Sequence, residues 1–134
     1  AGAFEKPTHA LKRRGVRYVE LRSLDVNAFD PLGINESQLH FLELFLLFCQ
    51  LHERPVISAE ERIHIDQNEL ATAHRGRDPH LHLHRNGNNI LLREWASEIF
   101  TAMEGMSEFL DSGRGHSLYS KSLSIQKGDL AYNV

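Results

Sequence analysis

The sequence predicts an α+β fold that is mainly helical, with about three principal helices and one N-terminal strand. Three observations carry that expectation. Residues 16–26 form an aliphatic and aromatic run that reads with a period of two. Residues 36–52, 59–75 and 90–111 carry helical start signals or apolar spacing of 3–4. Proline and glycine fall between these stretches, at Pro31, Gly33, Pro55, Gly76 and Pro79. At 134 residues the chain is expected to be a single domain, 1–134, with a modest core.

Taken in order, residues 1–15 read as irregular, or as a short helix around His9 to Arg14 that ends at Gly15. The strand follows from Val16 to Val26. Val16, Tyr18, Glu20, Arg22, Leu24 and Val26 share one side; Val19, Leu21, Ser23 and Asp25 share the other. Both sides carry apolar residues, so the strand is expected to be packed on both. Residues 27–33 form a turn by their chemistry, with Pro31 restricting the backbone and Gly33 freeing it.

Asn35 is a favourable N-cap, and Gln38 three residues on completes a capping box. The helix from Glu36 to about His52 is apolar around most of its circumference, with Glu36, His40, Glu43 and Gln50 as a narrow polar stripe. Cys49 reads as a buried, inert thiol. So much apolar surface is hard to cover in 134 residues, which predicts a partner for this helix. Arg54 and Pro55 end it. Ser58 and Glu61 form the next capping box, before a helix over 59–75 closed by Gly76. Its apolar stripe is weak, so it should be largely exposed. Residues 76–89 read as a long polar loop. A third helix, about Ile90 to Asp111, carries Leu91, Leu92, Trp95, Ile99, Met103, Met106 and Leu110 on one face. Gly105 within it suggests close packing. The tail, 117–134, has room for a short helix from Tyr119 to Gln126.

Composition excludes several functions. A net charge of -3, with no basic tract longer than residues 12–14, argues against nucleic-acid binding. The longest apolar run is too short to span a membrane, and no signal peptide is visible. A single cysteine precludes an internal disulfide and suits a reducing compartment. Glu20 and Arg22 are the unusual pair. A carboxylate and a guanidinium on one side of an apolar strand suit a divalent cation beside a phosphate, although a plain ion pair is the simpler reading of the residues alone. His80, His82 and His84 alternate with leucines and would share one face if extended. That could bind Zn²⁺ or Ni²⁺, or could be an outward-facing polar loop.

The string YVELRSLDVN at 18–27, with FDPLGI at 29–34 and QLHFLELFLLFC at 38–49, resembles the bacterial-type glutamate–cysteine ligases. The likeness runs from about Pro7 to Leu51 and more weakly to the loop around Arg77. There, residues 76–79 resemble the family's Gly-Arg-x-Pro-Gly loop, with His80 in place of the last glycine. The resemblance implies ATP-dependent formation of γ-glutamylcysteine from L-glutamate and L-cysteine through a γ-glutamyl phosphate, the first step of glutathione synthesis. It implies a core similar to glutamine synthetase, to whose antiparallel active-site sheet residues 16–26 would contribute a strand. It assigns Glu20 to Mg²⁺ and Arg22 to the transferred phosphoryl group; Tyr18, on the same side, could line that site or simply pack in the strand, and Arg77 in the loop could reach the nucleotide end or be a solvated arginine.

The same resemblance makes this chain a C-terminal fragment of a larger cytoplasmic ligase. The missing initiator Met points the same way. Such a fragment should be inactive alone and should need its missing portion, or self-association through helix 36–52. The alternatives are a helical oligomerisation or binding module without catalysis, and a metal-binding protein built on the 80–84 histidines.

Overall fold

The structure, a computed structural model, describes residues 5–53 and 55–133. Its elements are α1 (Pro7–Arg14), α2 (Glu36–Leu51), α3 (Ala59–Arg75), β1 (His82–Arg85), β2 (Asn88–Leu91), α4 (Leu92–Ser112) and α5 (Leu118–Asn133). The mainly helical α+β class holds. The number and kind of elements differ from expectation, because two helices are more substantial than predicted and the strands lie elsewhere. Among the described residues no helix is long and apolar enough to cross a membrane.

The body is a packing of α2, α4 and α5. Leu44 and Phe48 sit one turn apart on α2 and are buried against Met103 of α4 and Tyr119 and Leu123 of α5. Phe41, Phe45, Ile99, Phe100, Met106 and Leu110 close around them. Each fully buried apolar side chain here stabilises the body by roughly 1.5–3 kcal/mol. The capping box on α2 forms as read: Asn35 Oδ1 accepts from the Gln38 N–H, and Gln38 Oε1 accepts from the Asn35 N–H. At the start of α3 only half of the expected box forms: Ser58 Oγ accepts from the Glu61 N–H, without the return bond from the Glu61 carboxylate.

Several expectations are corrected. The helix expected from Tyr119 to Gln126 continues to Asn133, and its start is fixed by a side chain from the end of the preceding helix. Asp111, near the end of α4, accepts from the N–H groups of Tyr119 and Ser120 at 3.0 and 2.9 Å. It thus caps the first turn of α5 from another helix. Gly105 is not closely packed; a Cβ there would meet nothing within 4 Å. Gly76 closes α3 in the right-handed region, not the left-handed one. Glycine fits there because a Cβ would lie 2.7 Å from the Thr72 carbonyl oxygen. Cys49 is exposed, since it lies a step round the helix from Phe48 on the face turned from the core. Of the Arg54 and Pro55 stop, Arg54 lies outside the described residues, as do residues 1–4.

The stretch read as a polar loop holds a β-hairpin. His82 pairs with Leu91, Leu83 with Ile90, His84 with Asn89 and Arg85 with Asn88. The turn is Asn86–Gly87, both with positive φ (51° and 79°), which is the two-residue connection that matches strand twist. Leu81 and Leu83 are buried, while His82 and His84 face out. α3 rests on β1 and has no fully buried residue of its own. Asn68 of α3 reaches the outer edge of β1, where its carboxamide donates to the His84 carbonyl and accepts from the His84 N–H, both at 2.8 Å.

The predicted strand over 16–26 is not formed. Residues 15–27 join no ladder, and side chains of both parities are exposed. A strand exists only with a partner to share its N–H and C=O groups, and no described residue supplies one. The segment is an arm leading from α1 to α2.

Candidate functional site

The arm is held at both ends by local chemistry. At its start, Gly15 ends α1 with φ 72° and gives its N–H to the Leu11 carbonyl. Glu5 pairs with Arg13 at 3.0 Å and Arg14 at 2.5 Å, binding the chain before α1 to its last turn. At its far end, the Asn27 N–H donates to the Gly33 carbonyl at 2.7 Å, and Gly33 N–H donates to the Asp30 carbonyl. Asn27 Oδ1 accepts from the Phe29 N–H, and Asp30 Oδ1 from the Leu32 N–H. Gly33 needs its positive φ of 76°, and a Cβ would come to 3.1 Å from Val26 Cγ1. Asn27 Nδ2 then donates to Gln38 Oε1 at 3.0 Å, which ties this turn to α2.

Between these anchors the predicted pair comes together. Arg22 Nη2 donates to Glu20 Oε2 at 2.9 Å, so the two side chains share a side as period-two spacing requires. Both are open to solvent, with side-chain exposures of 82% and 61%. An ion pair so exposed contributes about 0–1 kcal/mol, so either partner can exchange it for a ligand at little cost. Tyr18 is also exposed. Tyr18 and Glu20 line a groove of about 510 Å³ between the arm and α1, together with Leu11, Arg14, Val16 and Arg17.

Arg77 is placed apart from this group. It follows α3 in an exposed turn, does not line the groove and shares no hydrogen bond or ion pair with Glu20 or Arg22. Asp78 orders that turn by accepting from the His80 N–H at 2.9 Å. The three alternating histidines do not converge. His82 Nδ1 bonds to the His80 carbonyl, and the His84 ring stacks on His64 of α3 at 4.7 Å. Among the described residues no group of three His, Cys, Asp or Glu side chains could hold a metal ion. Glu20 is therefore a single oxygen donor, and Mg²⁺ needs more than one such ligand around it.

The two shifted titrations lie in the body, not the arm. Burial pushes the Asp111 carboxyl up, but bonds from Ser120 and from the Tyr119 N–H, with His116 Nδ1 3.4 Å away, outweigh it and hold the group below its ordinary value. Burial and the Glu43 carboxylate push the Tyr119 hydroxyl up, with Arg114 opposing. Tyr119 OH donates to Glu43 of α2 at 2.8 Å and accepts from Arg114 at 2.7 Å, and the Arg114 guanidinium lies 5.4 Å from the ring centroid. His40 meets the same ring edge-on at 5.5 Å. These groups join three helices at one corner, and their shifts report packing.

The sequence profile of the family described as "Glutamate-cysteine ligase" matches residues 1–72. The chain belongs to the glutamate–cysteine ligase family. A glutamate–cysteine ligase of Pseudomonas putida is 42% identical over 123 residues, covering 92% of this chain and 23% of that protein. One from Shewanella amazonensis is 44% identical over 107 residues, covering 80% and 20%. The crystal structure of a Francisella tularensis glutamate–cysteine ligase in complex with AMP superposes with a TM-score of 0.81 at 32% identity, over 95% of this chain and 25% of that one. The chain thus spans about a quarter of the length of the ligases it matches. The profile takes in α1, the arm, α2 and most of α3, hence Tyr18, Glu20 and Arg22 but not Arg77. Sequence reasoning missed the Asn27–Gln38 bond. Each residue carried a signal, as turn-former and as cap partner, but a bond across 11 positions leaves none.

Proposed function

We propose that this chain is one segment of a glutamate–cysteine ligase, which forms γ-glutamylcysteine from glutamate and cysteine with ATP hydrolysed to ADP and phosphate. In this reading the arm is an active-site strand awaiting its sheet. The observation that supports it most is the outward Glu20–Arg22 pair inside the family-matched stretch. Arg22 would grip the phosphoryl group as it passes from ATP to the γ-carboxylate of glutamate, where charge builds on the phosphoryl oxygens. Glu20 would supply one oxygen ligand to Mg²⁺, and the remaining ligands would come from the rest of the ligase. A bound Mg²⁺ would neutralise phosphate charge. Tyr18 would line the site and Arg77 would meet the nucleotide end; the AMP bound by the Francisella relative supports a nucleotide site in such a protein.

The uncovered apolar residues support the same reading. Val16, Val19, Leu24, Val26, Phe29 and Leu32 on and beside the arm, and Leu39 and Leu51 on α2, are surface that the remaining polypeptide would cover. A reducing cytoplasm suits the exposed Cys49 thiol. The competing reading is self-association through α2, which light scattering on the isolated chain distinguishes: a dimer favours it, a monomer the ligase segment.

The activity test uses the full-length ligase carrying this segment. Arg22→Met should lower kcat by about 10²–10³-fold, the scale of losing a donor aimed at developing charge. Glu20→Gln should weaken Mg²⁺ dependence as well as rate. Near-normal turnover in both variants would overturn the assignment. The isolated chain should release no phosphate from ATP in the presence of Mg²⁺, glutamate and cysteine.

A further inference from the structure

We infer that Gln38 is a positioning residue for the arm, because its side-chain carbonyl fastens the segment bearing Glu20 and Arg22 to the N-terminus of α2. The inference rests on the ligase reading of those two residues and extends it to a residue outside the motif.

Gln38 Oε1 accepts two hydrogen bonds, from the Asn35 N–H and from Asn27 Nδ2, both at 3.0 Å. The Gln38 N–H donates to Asn35 Oδ1 at 2.9 Å. The two bonds to Asn35 are the capping box that starts many helices. The bond to Asn27 has no part in capping. It joins a residue of the arm's terminal turn to the helix, and all of these groups are part-buried.

Asn27 is the last fixed point before the arm. Its N–H is committed to Gly33, its Oδ1 to Phe29, and its Nδ2 to Gln38. From residue 16 to residue 26 no main-chain hydrogen bond ties the arm to the body among the described residues. α1 likewise packs on none of the other elements beyond slight contact. Arg22 lies five residues before Asn27, about 16 Å of extended chain. A tilt of about 10° at Asn27 would carry Arg22 about 3 Å sideways over that length, and a misplacement of about 1 Å can cost 10²-fold in rate. Together with the Asn27 N–H bond to Gly33, the Asn27–Gln38 bond fixes the angle at which the arm meets α2, at the end near Arg22, whatever sheet pairs with the arm further along.

The test separates the fastening from the cap, again in the full-length ligase. Gln38→Leu removes both acceptor bonds. Gln38→Glu keeps an oxygen for both donors. Asn27→Ser keeps an acceptor for the Phe29 N–H but is too short to reach Gln38. Asn35→Ala removes the Oδ1 cap and leaves the Asn27 bond in place. Gln38→Leu and Asn27→Ser should lower kcat about 10- to 100-fold with KM values little changed. Both should speed exchange of the Asn27, Asp30 and Gly33 amides, which the turn protects. Gln38→Glu should restore near-normal kcat, and Asn35→Ala should lower Tm while leaving kcat unchanged. Normal kcat in Asn27→Ser, or a loss in Asn35→Ala as large as in Gln38→Leu, would overturn the inference. If Arg22→Met and Glu20→Gln keep full activity, the reading of the arm itself fails and this inference falls with it; if only the Gln38 and Asn27 variants are silent, the arm reading stands alone.

Discussion

The arm and the three-helix body are built from equally apolar sequence, yet they end in opposite states. The body buries Leu44, Met103 and Leu123 against one another, because each of its helices finds two others within the chain. The arm carries Val16, Val19, Leu24 and Val26 and leaves all of them in solvent. A helix satisfies its backbone internally and needs only side-chain neighbours. An extended segment needs neighbours for its backbone as well, and no described residue supplies them to the arm. The difference separates a part that is self-contained from one whose backbone finds no partner among the described residues.

Substitutions can break that comparison, the largest first. Met103→Ala or Leu44→Ala should destabilise the isolated chain by about 2–5 kcal/mol in thermal or urea unfolding, as cavities in a packed core do. Val19→Ala and Leu24→Ala should change it by less than about 0.5 kcal/mol, because nothing covers them. The contrast sharpens in the full-length ligase, where the same two arm substitutions should become costly. If they are costly in the isolated chain, the arm is packed there and the comparison fails.

Asp111→Ala should cost about 1 kcal/mol, the value of a helix cap. Its carboxyl is held below its ordinary value in the fold, so its contribution is present above the unfolded value near pH 4 and is lost as pH falls through the folded one. Tyr119 behaves in the opposite sense. Its hydroxyl is raised, so its contribution is complete below about pH 10 and is lost as pH rises further. Tyr119→Phe should cost about 1 kcal/mol and remove that alkaline loss, which unfolding curves across pH will test. The smallest effect has the other sign: Gly105→Ala, with open space for the methyl group, should stabilise α4 by up to about 1 kcal/mol.

The sequence was most legible where the determinants are local. Asn35 and Gln38, and Ser58 with the Glu61 N–H, announce their helices because capping is settled within four residues. The hairpin could have been read from Asn86–Gly87 between His82 and Leu91, but its flanks are polar, and the period-two alternation of leucine with histidine is short. The reach of α5 to Asn133 was not legible, because past Gln126 it runs through Gly128, a poor helix former that reads as a stop. Of the candidate site, the shared side of Glu20 and Arg22 followed from strand periodicity. Whether the arm formed a strand did not, since a strand needs a pairing partner and periodicity does not say whether one exists. The exposure of Cys49 was missed because a helix apolar on nearly every side does not declare which face meets its neighbours.

The Asn68 carboxamide on β1 has a bearing on how this chain avoids unwanted association. It occupies the main-chain donor and acceptor of His84, where a third strand would otherwise dock. A naked hairpin edge is an invitation to stray chains and a seed for insoluble aggregates. Here one side chain from α3 occupies that berth, so this stretch of β1 is closed to a third strand while the main-chain groups of the arm stay open.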